Sequence, residues 1–265
     1  MSIHLTPRPA WLKQVYWQDL VAYRSYEILW ELSLPLPWLV CACWSTTQTY
    51  YPLTIVAAFY FFLTGLRVTH NAFHYALGLP RFTTDCLMLV LSVLMLGAHH
   101  AIQVTHIRHH RFCLQPEDVE GAVAKQTLGQ ALLGGIIFTL RIHRMGWHYA
   151  NTYQRRWIAL ELSANVLWLG FIWLSHNHML QVFSSLMLIA YGLSAFFAVW
   201  TVHHDCPEQS WNPSRSLRSA WKSALCYGMF FHSEHHLFPN VPTCHLPILA
   251  KRLDAAGFQL ERTVC

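Results

Sequence analysis

Four apolar segments, at residues 28–46, 50–69, 157–175 and 179–202, restrict this chain to few architectures. A helix that crosses a bilayer needs about 20 mostly apolar residues, with a range of about 17 to 25, and each of the four meets that length. Two further apolar runs, 83–98 and 127–140, are shorter. Runs of that kind more often lie in the interface or dip into the membrane and return. With 54% hydrophobic and 14% aromatic residues and a positive mean hydropathy, the chain is too apolar for an ordinary soluble domain. No internal repeat, low-complexity tract or glycine-serine linker marks a boundary, so residues 1–265 read as a single membrane-embedded domain. The expected fold is an all-α membrane protein, with four transmembrane helices in two hairpins and with cytoplasmic and interfacial helices carrying a histidine-rich metal site.

The histidines follow the apolar runs. His70-x-x-x-His74, His106-x-x-His109-His110 and His232-x-x-His235-His236 lie after apolar stretches, in a chain of which only 12% is charged. Residues three and four apart share a helix face, so each cluster can aim two or three imidazoles at one point. Imidazole suits iron, zinc, copper and nickel. Eight imidazoles exceed what one ion takes, which points to two metal ions.

Parity of the spans brings the clusters together. Histidines on opposite faces of about 30 Å of hydrocarbon cannot meet, so an even number of crossings must separate clusters that share a site. Two hairpins, with tips at Thr46–Tyr50 and His176–His178, satisfy that condition, and all 18 Lys and Arg residues then fall on the side away from the tips. The positive-inside rule puts both termini and all three clusters in the cytoplasm. Trp30, Trp38, Trp44, Tyr50 and Tyr51 fit interfacial anchors. The net charge of +5 suits a basic face against anionic lipid and calls for no nucleic acid. The first 27 residues mix Arg8, Lys13, Asp19, Arg24 and Glu27 with aromatics, unlike a signal peptide, so the N-terminus is expected to stay where it is made.

Neighbouring residues have two readings. Glu117, Asp118 and Glu120 could hold imidazole N–H groups, or could simply be acids at a helix start after Pro116. Glu234 is adjacent to ligands but by spacing points to another face. The eight cysteines, Cys41, Cys43, Cys86, Cys113, Cys206, Cys226, Cys244 and Cys265, contain no CxxC pair and read as reduced packing residues. Cys113 and Cys206 lie nearest the histidines. His99 is a candidate partner behind the metals, whereas His100, His143, His148, His176, His178 and His245 read as packing or interfacial groups.

The three elements HNAFH at 70–74, HIRHH at 106–110 and HSEHHLFPNVP at 232–242, with Cys-His-Leu-Pro at 244–247, resemble the integral-membrane fatty acid desaturases and hydroxylases, a family that includes carotenoid hydroxylases and ketolases. The resemblance covers about residues 30 to 250. It implies a cytoplasm-facing non-haem di-iron centre that uses O2 as co-substrate, with His70, His74, His106, His109, His110, His232, His235 and His236 as ligands. It also implies a further ligand at the end of the last span, where His203 is favoured and His204 competes. Electrons would come from a separate donor of ferredoxin or cytochrome type, docking on the basic face, because no haem or flavin domain is visible.

Neutral imidazoles leave the metal charge to be balanced by oxo or hydroxo groups or by acids, with Asp205, Glu117, Asp118 and Glu234 nearest in sequence. Desaturation of a fatty acyl or other lipid chain is the leading expectation. A hydroxylase or ketolase acting on a carotenoid or another isoprenoid is the close alternative. A membrane metal transporter or sensor is a distant one, since such proteins carry ionisable groups through the bundle, and the spans here have almost none beyond Glu161.

Overall fold

The computed structural model describes residues 9–260 and 264, and within them every regular element is helical. Arg8 and Cys265, used above in the leader and cysteine arguments, lie outside the described residues. Four helices are long and apolar enough to cross a membrane: α1 (Ser25–Thr47), α2 (Tyr51–Phe73), and the later α6 (Thr152–Leu174) and α7 (His178–His203). Each sequence segment is recovered and lengthened by a few residues.

The starts and stops follow local chemistry. Pro52 stands in the first turn of α2, where its missing N–H costs nothing. The Asn151 side chain accepts from the Gln154 N–H at 2.9 Å and the Gln154 side chain accepts from the Asn151 N–H at 3.0 Å, a reciprocal cap for α6. Asn177 caps α7. Thr49 and His176, both with positive φ, turn the chain between α1 and α2 and between α6 and α7. Tyr51 Oη and His178 Nε2, at the starts of α2 and α7, meet at 3.2 Å.

The two shorter apolar runs behave differently from spans. Residues 83–98 become α3 (Arg81–Met95), which meets α4 (His99–Phe112) at a bend of 110°. Leu96 makes the break in the left-handed region, at φ 64°. Gly97 next to it has no Cβ, and one would collide with the Tyr191 phenol of α7. Residues 127–140 split into a short helix, Leu128–Leu133, and α5 (Gly135–Tyr149). At Gly135 a Cβ would strike the Gly192 carbonyl, so the α5–α7 approach depends on that glycine.

Phe61, Phe62, Met88, Met95, Phe183 and Met187 form the main core between α2, α3 and α7. The outer faces of α1 and α6 stay apolar: Trp30, Val40, Leu167, Trp173 and Leu174 are all more than 60% exposed. Such a surface suits lipid rather than water. At the histidine end, α8 (His232–Leu237) and α9 (Leu246–Ala255) pack with Leu12, Val15 and Leu20 into a second core. A buried ion pair joins α1 to α2 there, with Arg67 Nε donating to Glu31 Oε2 at 2.9 Å. The span ends thus carry ionisable groups besides Glu161.

Candidate metal centre

Four elements bring nine histidines to one end of the bundle. α2 supplies His70 in its last turn and His74 at its C-cap, α4 supplies His106, His109 and His110, α7 ends on His203, and α8 supplies His232, His235 and His236. They sort into two groups that could each hold an ion. His70, His74, His106, His110 and His235 form one, and His109, His203, His232 and His236 the other, with one nitrogen from each ring of a group within 4.8 Å of the others. The helix period explains the sorting. His106 and His110, four apart on α4, face one group while His109 faces the other; His232 and His236, four apart on α8, face the second while His235 faces the first. The His110 and His236 rings stack at 4.3 Å, so the groups adjoin.

The spacing fits metal coordination. Within the first group the Nε2 atoms of His106 and His74 are 3.1 Å apart, those of His110 and His106 3.1 Å, and those of His235 and His110 2.9 Å. In the second, His109–His203 is 3.0 Å, His232–His203 2.8 Å and His236–His232 3.0 Å. Metal–nitrogen bonds of about 2.1 Å at right angles leave about 3.0 Å between ligand atoms. Hydrogen bonding alone is a poor account of these contacts. His109 Nδ1 faces Asp118 Oδ2 at 2.7 Å and His203 Nδ1 faces the Pro213 carbonyl at 2.7 Å. Both partners only accept, so Nδ1 carries the hydrogen and the Nε2 lone pairs point at each other. A proton can bridge one such pair, but not four converging nitrogens, and a cation resolves them all.

Burial favours the neutral rings that a metal requires, except at His109, where it is outweighed by Asp118 and Glu120, which raise that ring above the ordinary range. Burial pushes His74, His232, His235 and His236 well below the ordinary histidine range, and neighbouring imidazoles push in the same direction. Asp118 is held below the ordinary carboxylate range: burial opposes ionisation, but His109 and the N–H groups of Gly121 and Leu114, each at 2.9 Å, outweigh it. Glu120 accepts from Thr105 Oγ1 at 2.8 Å and faces His106 Nδ1 at 3.3 Å. Asp118 and Glu120 are therefore the acids behind the imidazoles.

The other sequence candidates fall elsewhere. Glu117 is exposed, and Asp205, with 64% of its side chain exposed, lies beside His204 and Arg215. Glu234 is fully buried but turns to Ser216 and Arg218. His204 stacks on Trp200 and bonds the Ala124 carbonyl at 2.9 Å, leaving the place in the second group to His203. Cys113 Sγ is 3.9 Å from His203 Nδ1 and forms, with His109 and Asp118, a further set of side chains that could hold an ion, outside the two imidazole groups. No disulfide joins the described cysteines. His99 bonds Met88 and Tyr191 and reaches neither group.

A cluster read from the sequence as packing is a polar network. His100 Nδ1 meets Glu161 Oε1 at 2.8 Å and its Nε2 meets Asp85 Oδ1 at 3.3 Å, while Tyr75 Oη donates to Asp85 at 2.9 Å. It ties the start of α4 to α3, to α6 and to the residue after His74. Acids inside apolar runs, Glu161 and Asp85, were its signals in the sequence.

Both histidine groups open onto one apolar cavity of about 100 Å3, lined on the metal side by His70, His106 and His232 and elsewhere mostly by Phe, Leu, Ile and Val side chains of α2, α5 and α7. The stretch of α7 along this cavity, Ala195–Trp200, is a π-helix, a rare form frequent at functional sites.

Residues 46–260 match the model of one protein family, described as fatty acid desaturase. No curated protein and no solved structure matches the chain.

Proposed function

The chain belongs to the fatty acid desaturase family, a family of oxidoreductases, and from that premise we propose that it desaturates a fatty acyl chain at two iron ions held by nine histidines. His70, His74, His106, His110 and His235 would hold one ion, and His109, His203, His232 and His236 the other. Iron with O2 and two electrons supplies an oxidant strong enough for an unactivated C–H bond, which no acid or base side chain can provide. In balance, the chain loses two hydrogens from adjacent carbons, and O2 takes these with two further electrons and two protons to give two waters.

One observation carries the reading: the two adjoining imidazole groups share a single apolar cavity, so a methylene chain lying in it passes both. The protein's own part is positioning and exclusion of water. Asp118, the Pro213 carbonyl and Glu120 fix the Nδ1 hydrogens of His109, His203 and His106, which aims their Nε2 lone pairs. Phe73 packs against the His106 ring at 5.7 Å and helps keep the cavity wall dry.

The proposed topology has two hairpins. The Tyr51–His178 contact supports it by joining the starts of α2 and α7, while His70 and His203 stand at the opposite ends of the same helices. The basic residues lie toward the histidine end, and the positive-inside rule supports a cytoplasmic side for that end. A separate ferredoxin-type or cytochrome-type donor would dock there, near exposed Arg111. Lipids extracted from cells with and without the gene test the reaction. A product two hydrogens lighter than its precursor is expected, and a product one oxygen heavier would replace desaturation by hydroxylation.

A further inference from the structure

The cavity has a closed end, and the residues that close it are placed to set where along a chain oxidation falls. Its lining on α2 runs from Phe73 and His70 down to Phe62, and on α7 from Val202 down to Tyr191. These two deepest residues meet edge to face, with ring centroids 5.3 Å apart. Below them lies packed core: Phe61, Met88, Met95 and Met187 are each at most 1% exposed. From Phe62 to His70 the helix rises about 12 Å, so the closed end stands well inside the apolar layer.

Tyr191 is fixed there. Its hydroxyl donates to His99 Nε2 at 3.0 Å, and His99 Nδ1 in turn donates to the Met88 carbonyl at 3.2 Å. The absent Cβ of Gly97 leaves room for the phenol. The other polar lining groups have spent their donors on the backbone: Ser194 Oγ on the Tyr191 carbonyl at 2.7 Å, Thr139 Oγ1 on the same carbonyl at 3.3 Å, and His143 Nδ1 on the Thr139 carbonyl at 2.8 Å. Toward the metals the wall adds Leu66, Phe197, Met229 and Phe230, and the Glu120 carboxylate there is engaged by Thr105 and His106. The fixed point along a chain in this cavity is therefore its far end.

We propose that Tyr191, held by His99, is the stop for the terminal methyl of a straight acyl chain, so that the oxidised carbons are counted from the methyl end. This rests on the desaturase reading above. The metal end fixes which carbons react, and Tyr191 fixes how many lie beyond them.

The test supplies cells expressing the protein with straight chains of fourteen, sixteen and eighteen carbons and locates the new double bond by mass spectrometry. A constant count from the methyl end is expected, so each two-carbon extension moves the bond two carbons farther from the carboxyl. A constant count from the carboxyl would overturn the proposal. Tyr191→Phe should keep the wild-type count, and Tyr191→Leu should raise the count from the methyl end. A second readout needs no turnover: thermal stabilisation of the purified metal-free protein by straight-chain alcohols should rise with chain length to a plateau, and Tyr191→Leu should move that plateau to longer chains. If no double bond forms at any length, the desaturase reading fails; an unmoved plateau in Tyr191→Leu overturns the stop by itself.

Discussion

A buried imidazole with a fixed Nδ1 hydrogen, as at His109 and His203, has one use for its Nε2 lone pair, and nine histidines share this end of the protein. His106→Ala or His235→Ala should remove bound metal and abolish oxidation while the chain still inserts in membranes, since each loses a ligand outside the apolar spans; metal analysis of the membrane-extracted variant checks this. Asp118→Asn should weaken metal binding by about 10- to 100-fold, because the carboxylate orients His109 and raises its basicity. Glu117→Gln, on an exposed neighbour, should leave binding unchanged, and titration of both variants with iron separates them. At this scale the sequence was most legible where helical spacing applied. The three clusters announced eight rings, and the family pattern supplied His203. Spacing does not say whether Asp118 or Glu117 turns inward, because the loop after α4 has no period; the left-handed Leu114 and the N–H groups that Asp118 accepts decide it.

Helices carry these residues to their places, and their ends were readable from capping groups and proline. Reporter fusions at residues 48 and 177 should both lie on the side opposite the C-terminus, and a fusion found on the same side would contradict the two hairpins. The bend between α3 and α4 was only half legible. Length excluded a simple span for 83–98, but the left turn at Leu96 and the room at Gly97 for Tyr191 depend on a helix almost a hundred residues later. The Glu31–Arg67 pair was equally hidden, since each charge alone looks like a flaw in an apolar segment. Glu31→Ala should destabilise the protein by about 3–5 kcal/mol by leaving Arg67 buried without a partner. Thermal unfolding in detergent, compared with the double variant that also removes Arg67, reads that loss and its recovery.

In the whole molecule, a lipid-facing bundle presents one apolar cavity to two adjoining imidazole groups at a single end. The sequence pointed to that end through parity and charge, because both depend on counts along the chain. The cavity depends on which faces of α2, α5 and α7 meet, so its depth and its stop at Tyr191 were not legible. The collection of the histidines at one end, rather than along a path through the spans, is what a surface redox centre requires and a transport route does not. Iron per chain in the purified protein is the most direct check on this centre. Two irons per chain are expected, with His203→Ala reducing that number and His204→Ala leaving it at two. One iron per chain, or a loss in His204→Ala without one in His203→Ala, would contradict the two-group centre.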